Sequence, residues 1–332
     1  MMRLHARLVR LLLALVLLVP FALAHLFYID RVIHKSGPVM LEALPVPTRP
    51  PNWPEQLDVE AIWNLSTKRE DFGSYSAVLV LPENRLRFYS DKGGMFEMPR
   101  PGINGAYRMK SVGKVAGQGL QDIESATRDP VSGAVWLGYE WYNGIRRMSA
   151  NGQDEFVIPP SMKGWSRNGG PEAMTRLSDG RFIILREVGS EGLLFPADPV
   201  DGSAAVRFSF DAPEGFSPVD MAQLPDGRLL ILVRGVRAWF PPFKAALLLA
   251  DPATIRPGEN LRWTLLASLD DAAPSENYEA IAVEPVFGKD GVRIWIASDD
   301  NYAALQRTLL LELEWTPDAK KGAAARPGAP SG

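Results

Sequence analysis

Four acidic residues, Glu124, Glu172, Asp220 and Glu279, stand at matching places in a recurring stretch of this chain, separated by 48, 48 and 59 residues. A fainter copy has Ser76 at that place, 48 residues before Glu124. A second apolar run in each copy ends in charge, at Asp91-Lys92, Glu140, Glu187, Arg234 and Asp299-Asp300. Carboxylates in number can ligate a hard cation, pass protons and orient water. Brought within a few ångströms they cannot all ionise, so convergence demands either protonation or a cation. All-oxygen donors suit Ca²⁺ first, because it accepts irregular shells, with Mg²⁺ or Mn²⁺ after it. The expected ligand set is Glu124, Glu140, Glu172, Glu187, Asp220, Glu279 and Asp299. Of these, Glu124, Glu172 and Glu279 are the candidates for catalytic work.

The missing residue types narrow the chemistry further. Cysteine is absent, and the three histidines (His5, His25, His34) all precede the repeats. Disulfides, thiolate sites, a Ser-His-Asp triad and a His-ligated zinc or iron site are thereby excluded from the repeat region. A formal charge of −3 and the lack of a long Lys/Arg run give no footprint for nucleic acid or for an anionic membrane surface. The 46% hydrophobic content is ample for a buried core in 332 residues.

The elements that must position these acids are hairpins. Asp179-Gly180, Asp226-Gly227 and Asp290-Gly291, with Asp129-Pro130 to Gly133 and Pro82-Glu83-Asn84, separate apolar runs in each copy. Such turns need positive φ, which Gly and Asn/Asp tolerate. Two further strands follow, such as Gly144 to Met148 and Glu155 to Ile158, so each copy has four short antiparallel strands. That is an all-β chain folded as a β-propeller. Five blades are expected over 57–316. Six is the alternative, because the 59-residue interval with Pro241-Pro242 and Pro274 could hold an extra blade. The last copy has three strands of its own, so the strand at Leu57 to Leu65 supplies its fourth and closes the ring. The first strand of a blade lies innermost, which gathers the acids at one mouth of the channel and the Asp-Gly turns at the other. The competing reading leaves these acids bonded to backbone amides of neighbouring blades, or paired with Lys92 and Arg234. Trp136, Trp141, Tyr142 and Trp295 are read as core.

Residues 1–24 carry Arg3, Arg7 and Arg10, an apolar run and an Ala22-Leu23-Ala24 exit, the three parts of an export signal. Apolar residues continue to Ile29, so an uncleaved anchor over 11–29 is the alternative. Either places the body in the periplasm or outside the cell, with membrane contact only through that anchor. Residues 25–56, with five prolines after Leu44, read as a stiff spacer, and 317–332 as a disordered tail.

Glu124-Ser-Ala with Glu140, Glu172-Ala-Met with Glu187, and Asn277-Tyr-Glu279-Ala-Ile-Ala with Ser298-Asp-Asp-Asn301 resemble the phytase-like propeller family, "esterase-like activity of phytase". The resemblance spans about residues 70 to 315. It implies an exported propeller and a calcium-dependent hydrolase of a small-molecule phosphoester or carboxylic ester. In such an enzyme Lys92, Arg186 and Arg234 would meet the substrate's negative charge. The chain departs from the pattern at Ser76, Asp220 and Arg234. A non-enzymatic, metal-stabilised propeller that binds a ligand or protein partner is the alternative.

Overall fold

Positive backbone φ occurs where the hairpins demand it, at Asn84 (55°), Gly180 (91°) and Gly227 (93°), and from such turns the strands run back antiparallel. The computed structural model describes residues 36–114 and 122–316, apart from 240, 271, 287 and 289, together with 12, 14–16, 18 and 19. Most of the export signal or anchor falls outside these residues, and the C-terminal tail does so entirely. No helix among the described residues is long and apolar enough to cross a membrane.

Among the described residues twenty-one strands form five sheets, so the propeller has five blades. Two strands, β1 (Met40–Leu44) and β2 (Leu57–Ser66), come first. Blade 1 follows as β3 (Tyr75–Leu81), β4 (Arg85–Ser90), β5 (Gly94–Pro99) and β6 (Arg108–Ser111). Blade 2 is β7 (Ile123–Arg128), β8 (Val135–Tyr139), β9 (Gly144–Met148) and β10 (Asp154–Val157). Blade 3 is β11 (Pro171–Arg176), β12 (Phe182–Arg186), β13 (Glu191–Phe195) and β14 (Val206–Ser209). Blade 4 is β15 (Ser217–Gln223), β16 (Leu229–Val236), β17 (Phe243–Ala250) and β18 (Trp263–Ser268). Blade 5 is β19 (Tyr278–Pro285), β20 (Val292–Ser298) and β21 (Thr308–Trp315), and it receives β2 and then β1 on its outer edge.

The ring closes as expected, with Leu57 opposite Trp315 and Leu65 opposite Thr308. The spacer reading is corrected over Met40–Leu44, which pairs with β2 from Met40 opposite Ser66 to Leu44 opposite Ile62. Leu41 and Leu44 pack on buried clusters, and the run of five prolines begins only after this strand ends. The long fourth interval hides no sixth blade. It is taken up by eight-residue strands and the loops between them.

Blades pack face to face through apolar side chains. Phe72, Tyr75, Phe88 and Phe96 fill one seam; Leu232, Leu247, Ile281, Ile296 and Leu311 fill another. Burying each such side chain contributes about 1.5–3 kcal/mol, which makes the blades a rigid mount.

Candidate functional site

All five inner strands break register at the same point. Pairing skips one residue between Tyr75 and Ala77, Ile123 and Ser125, Pro171 and Ala173, Pro218 and Asp220, and Tyr278 and Ala280. The bulged residues are therefore Ser76, Glu124, Glu172, Val219 and Glu279. A bulge frees its residue from the alternation that commits strand side chains to one seam or the other, and re-aims it. Ser76, Glu124, Glu172 and Glu279 line a cavity of about 220 Å³ at one mouth of the channel. Asp91, Glu140, Glu187, Arg234 and Asp299, each just past the end of a second strand or within it, complete the wall with Asn301.

Backbone bonds fix these two tiers against each other. Asp91, Glu140 and Asp299 donate their N–H groups to the carbonyls of Ser74, Asp122 and Asn277 at 3.1, 2.9 and 2.8 Å. Those carbonyls sit two residues before the bulge in blades 1, 2 and 5. Ser74 and Asp122 adopt φ of 54° and 74°, the left-handed turn that leads into the bulge.

The structure corrects the ligand set at Asp220. In blade 4 the bulged residue is Val219, which is buried in an apolar cluster, and Asp220 pairs in register with Leu232. Asp220 is the counterpart of Ser125 and not of Glu124. Its carboxylate lies in the seam and accepts the N–H groups of Met221 at 2.8 Å and Ile281 at 2.7 Å. Ser125 likewise bonds across a seam, donating its hydroxyl to the Pro171 carbonyl. Burial raises the Asp220 carboxyl well above its ordinary value, against the two N–H groups that favour its charge. Asp300 is also structural, accepting from Ser74 N–H, Tyr302 N–H and the Thr308 hydroxyl.

The expected cations are mostly committed elsewhere. Lys92 is exposed and pairs with Asp91 at 2.8 Å. Arg186 does not line the cavity. It donates to the Gly169 carbonyl at 2.8 Å and the Ser166 hydroxyl at 2.9 Å, and lies 5.4 Å from the Trp165 ring. Arg234 does enter the ring, 3.3 Å from Glu187, 3.5 Å from Glu279 and 3.0 Å from the Asn277 side-chain oxygen. Burial would lower its pKa, but Glu279, Glu187 and Glu172 outweigh that and raise it.

The carboxylates that remain draw together. Asp122, Glu124 and Glu140 each place an oxygen within 4.8 Å of the others, and so do Glu140, Glu172 and Glu187. Glu140 is common to both groups, and the Gly169 and Gly170 N–H groups hold it. Burial first, and then the neighbouring charges of Glu172 and Glu279, raise Glu124 well above the usual carboxylate range. Glu172 rises likewise by burial and the charges of Glu187 and Glu140. Burial and Asp122 bring Glu140 to about 7. Asp299 rises by burial beside Glu279 and Asp91, and burial raises Glu279 despite Arg234. The Ser76 hydroxyl, 2% exposed, lines this cavity without a hydrogen-bond partner among the described residues. No sequence signal marked it beyond its alignment with the glutamates. Trp136 and Trp295 are core as expected, whereas Trp141 is 47% exposed beside the mouth, its backbone N–H bonded to Asp122.

Fold and site define a five-bladed β-propeller whose channel opens through a ring of carboxylates. The phytase-like family model, described as esterase-like activity of phytase, matches residues 70–302, and the chain belongs to that family. Comparison with curated proteins finds no match. Among solved structures, a streptogramin B lyase is similar at 12% identity and a TM-score of 0.43, over 77% of this chain and 98% of that one. Virginiamycin B lyase from Staphylococcus aureus is similar at 11% and 0.40, over 77% and 78% of the two chains. A luciferin-regenerating enzyme is similar at 10% and 0.41, over 73% and 92%. These likenesses are of outline alone.

Proposed function

We propose that this chain is an exported hydrolase that holds a divalent cation, calcium first, at the carboxylate mouth and cleaves a small-molecule phosphoester or carboxylic ester there. The observation that carries the reading is the pair of three-carboxylate groups sharing Glu140. The donor set fits a hard cation, being all oxygen, clustered and too crowded to ionise without one. Asp122, Glu124, Glu140, Glu172 and Glu187 would hold it. When bound, such an ion supplies Lewis-acid polarisation of an ester oxygen.

The chain's own groups have distinct tasks. Glu140, held by two glycine N–H groups, keeps the two carboxylate groups in register. Glu172 and Glu279, whose carboxyls burial biases toward the protonated form, can give a proton to a leaving oxygen or take one from water. Arg234 bridges Glu187 and Glu279 and offsets their charge. The free hydroxyl of Ser76 can donate to a substrate oxygen.

The test is metal content of the purified protein with and without chelator, followed by a panel of phosphate and carboxylic esters. Calcium-stimulated release of phosphate or alcohol, lost in Glu124→Gln and Glu172→Gln, is expected. No turnover of either ester class with calcium, magnesium or manganese overturns hydrolysis. The engagement of Lys92 and Arg186 by other groups favours a second reading, a metal-stabilised propeller that binds its ligand without turnover. Its mark is a calcium-dependent rise in melting temperature with no product.

A further inference from the structure

The loops above the carboxylate ring carry exposed apolar side chains in four of the five blades. Trp141 follows Glu140 directly, and Val188 follows Glu187. Val236 ends β16 two residues after Arg234, and Trp239 stands in the loop that follows. Leu305 lies in the loop that carries Asp299 and Asn301. All five are exposed, from 47% at Trp141 to 69% at Trp239. Large apolar side chains repeated around a polar opening mark a surface for an apolar partner group. The backbone N–H of Trp141 bonds Asp122 at 3.1 Å, which anchors the chain beneath it, and the Arg167 guanidinium lies 4.8 Å from the centroid of its ring.

Two other observations limit what can sit below that rim. The cavity of about 220 Å³ is smaller than the roughly 300–1,000 Å³ that encloses a drug-sized ligand. A polyanion would also need several uncommitted cations. Lys92 is paired with Asp91, Arg234 with Glu187 and Glu279, and Arg237 with Asp270, while Arg186 is bonded to Gly169 and Ser166. Arg167, stacked on Trp141, has no carboxylate partner among the described residues and can meet one charged oxygen at the rim.

From these facts, and resting on the ester-binding reading above, we infer that the substrate is amphiphilic. It carries one phosphoryl or carboxyl ester head for the carboxylate mouth and an alkyl or aryl body seated on Trp141, Val188, Val236, Trp239 and Leu305. Multiply phosphorylated, fully polar compounds are poor ligands.

Calorimetric titration of the purified protein in calcium buffer tests this in two arms. One compares octyl phosphate with inorganic phosphate and inositol hexakisphosphate; the other compares octyl acetate with ethyl acetate. The octyl compound in at least one arm is expected to bind about tenfold tighter than its bare head group, and inositol hexakisphosphate no tighter than inorganic phosphate. The arm with the advantage names the head. Trp239→Ala and Trp141→Ala should each remove most of that advantage, and Val131→Ala, at the far end of the channel, none of it. The inference is overturned if neither chain confers an advantage, if inositol hexakisphosphate binds tightest, or if the rim variants keep the wild-type preference. Octyl binding without turnover would sink the hydrolase reading and leave this one standing.

Discussion

A carboxylate oxygen of Asp220 accepts the backbone N–H of Ile281 at 2.7 Å, joining the inner strands of blades 4 and 5. That bond turns a residue aligned with the glutamates of the mouth into a tether between blades. It also leaves Arg234 as the only charged group that blade 4 brings to the cavity wall among the described residues.

Asp220→Ala should therefore cost stability without costing metal. The buried N–H of Ile281 loses its acceptor, a penalty of about 1–3 kcal/mol, measurable by denaturant unfolding. Calcium titration should be unchanged, while Glu172→Gln should weaken it. Equal losses of metal in the two variants would return Asp220 to the ligand set.

Gly170 bears on Glu140 directly. A Cβ at Gly170 would lie 2.5 Å from the Glu140 Cα and 2.9 Å from its Cγ. Gly170→Ala should displace the carboxylate shared by both groups and weaken calcium binding more than tenfold, roughly the loss of one charge-assisted contact. Gly152→Ala meets no atom within 4 Å and serves as the control, although its φ of 87° makes it mildly strained.

Arg234→Gln removes a positive charge from beside Glu187 and Glu279. A unit charge a few ångströms away is worth about 1–4 kcal/mol in partly solvated surroundings, so calcium affinity should rise by tenfold or more. The metal-free protein should melt lower, because two carboxylates lose their partner. Unchanged affinity in the variant would show that the cation binds away from Arg234.

The carboxylates set a pH dependence with a definite sign. Glu140 holds its proton up to about pH 7 in the folded chain, against an ordinary value of 4.5. Between those values the folded state binds more protons than the unfolded one, so metal-free stability falls as pH rises through that window. Glu124, Glu172 and Asp299 push the same way. Melting in chelator should therefore be higher near pH 5 than near pH 7.5, and added calcium should raise it most at the higher pH. Equal calcium effects at both pH values would rule out these carboxylates as its ligands.

Closure of the ring depends on β2. Leu57 is fully buried, faces Trp315 and lies in the cluster shared by blades 4 and 5. Leu57→Ala should cost about 2–5 kcal/mol. Met40→Ala, on the exposed outer strand, should change stability by no more than about 0.5 kcal/mol.

Hairpin turns, strand period and the equal spacing of Ser76, Glu124 and Glu172 were enough to read a propeller closed by Leu57 to Leu65, because each rests on local chain geometry. The strand Met40–Leu44 escaped that reading, since five residues beside a proline-rich run carry little alternation and its order comes from pairing with Ile62 to Ser66. Trp141 was read as core because an aromatic at a strand end usually is; only its exposure to solvent in the folded chain distinguishes its place.

The sequence by itself determined that any chemistry here belongs to oxygen ligands and carboxylates, since the repeats lack cysteine and histidine, and that acids begin most of the inner strands. Only the tertiary structure decided between Val219 and Asp220. Side chains along a strand alternate between two faces, so a single skipped residue moves an acid from the channel to the seam. Where that skip falls shows only in the pairing with the neighbouring strand, Pro218 opposite Val233 and Asp220 opposite Leu232. The same holds for the cations: Lys92, Arg186 and Arg234 look alike as residues, and what each can do depends on whether Asp91, Gly169 or Glu187 reached it first in space.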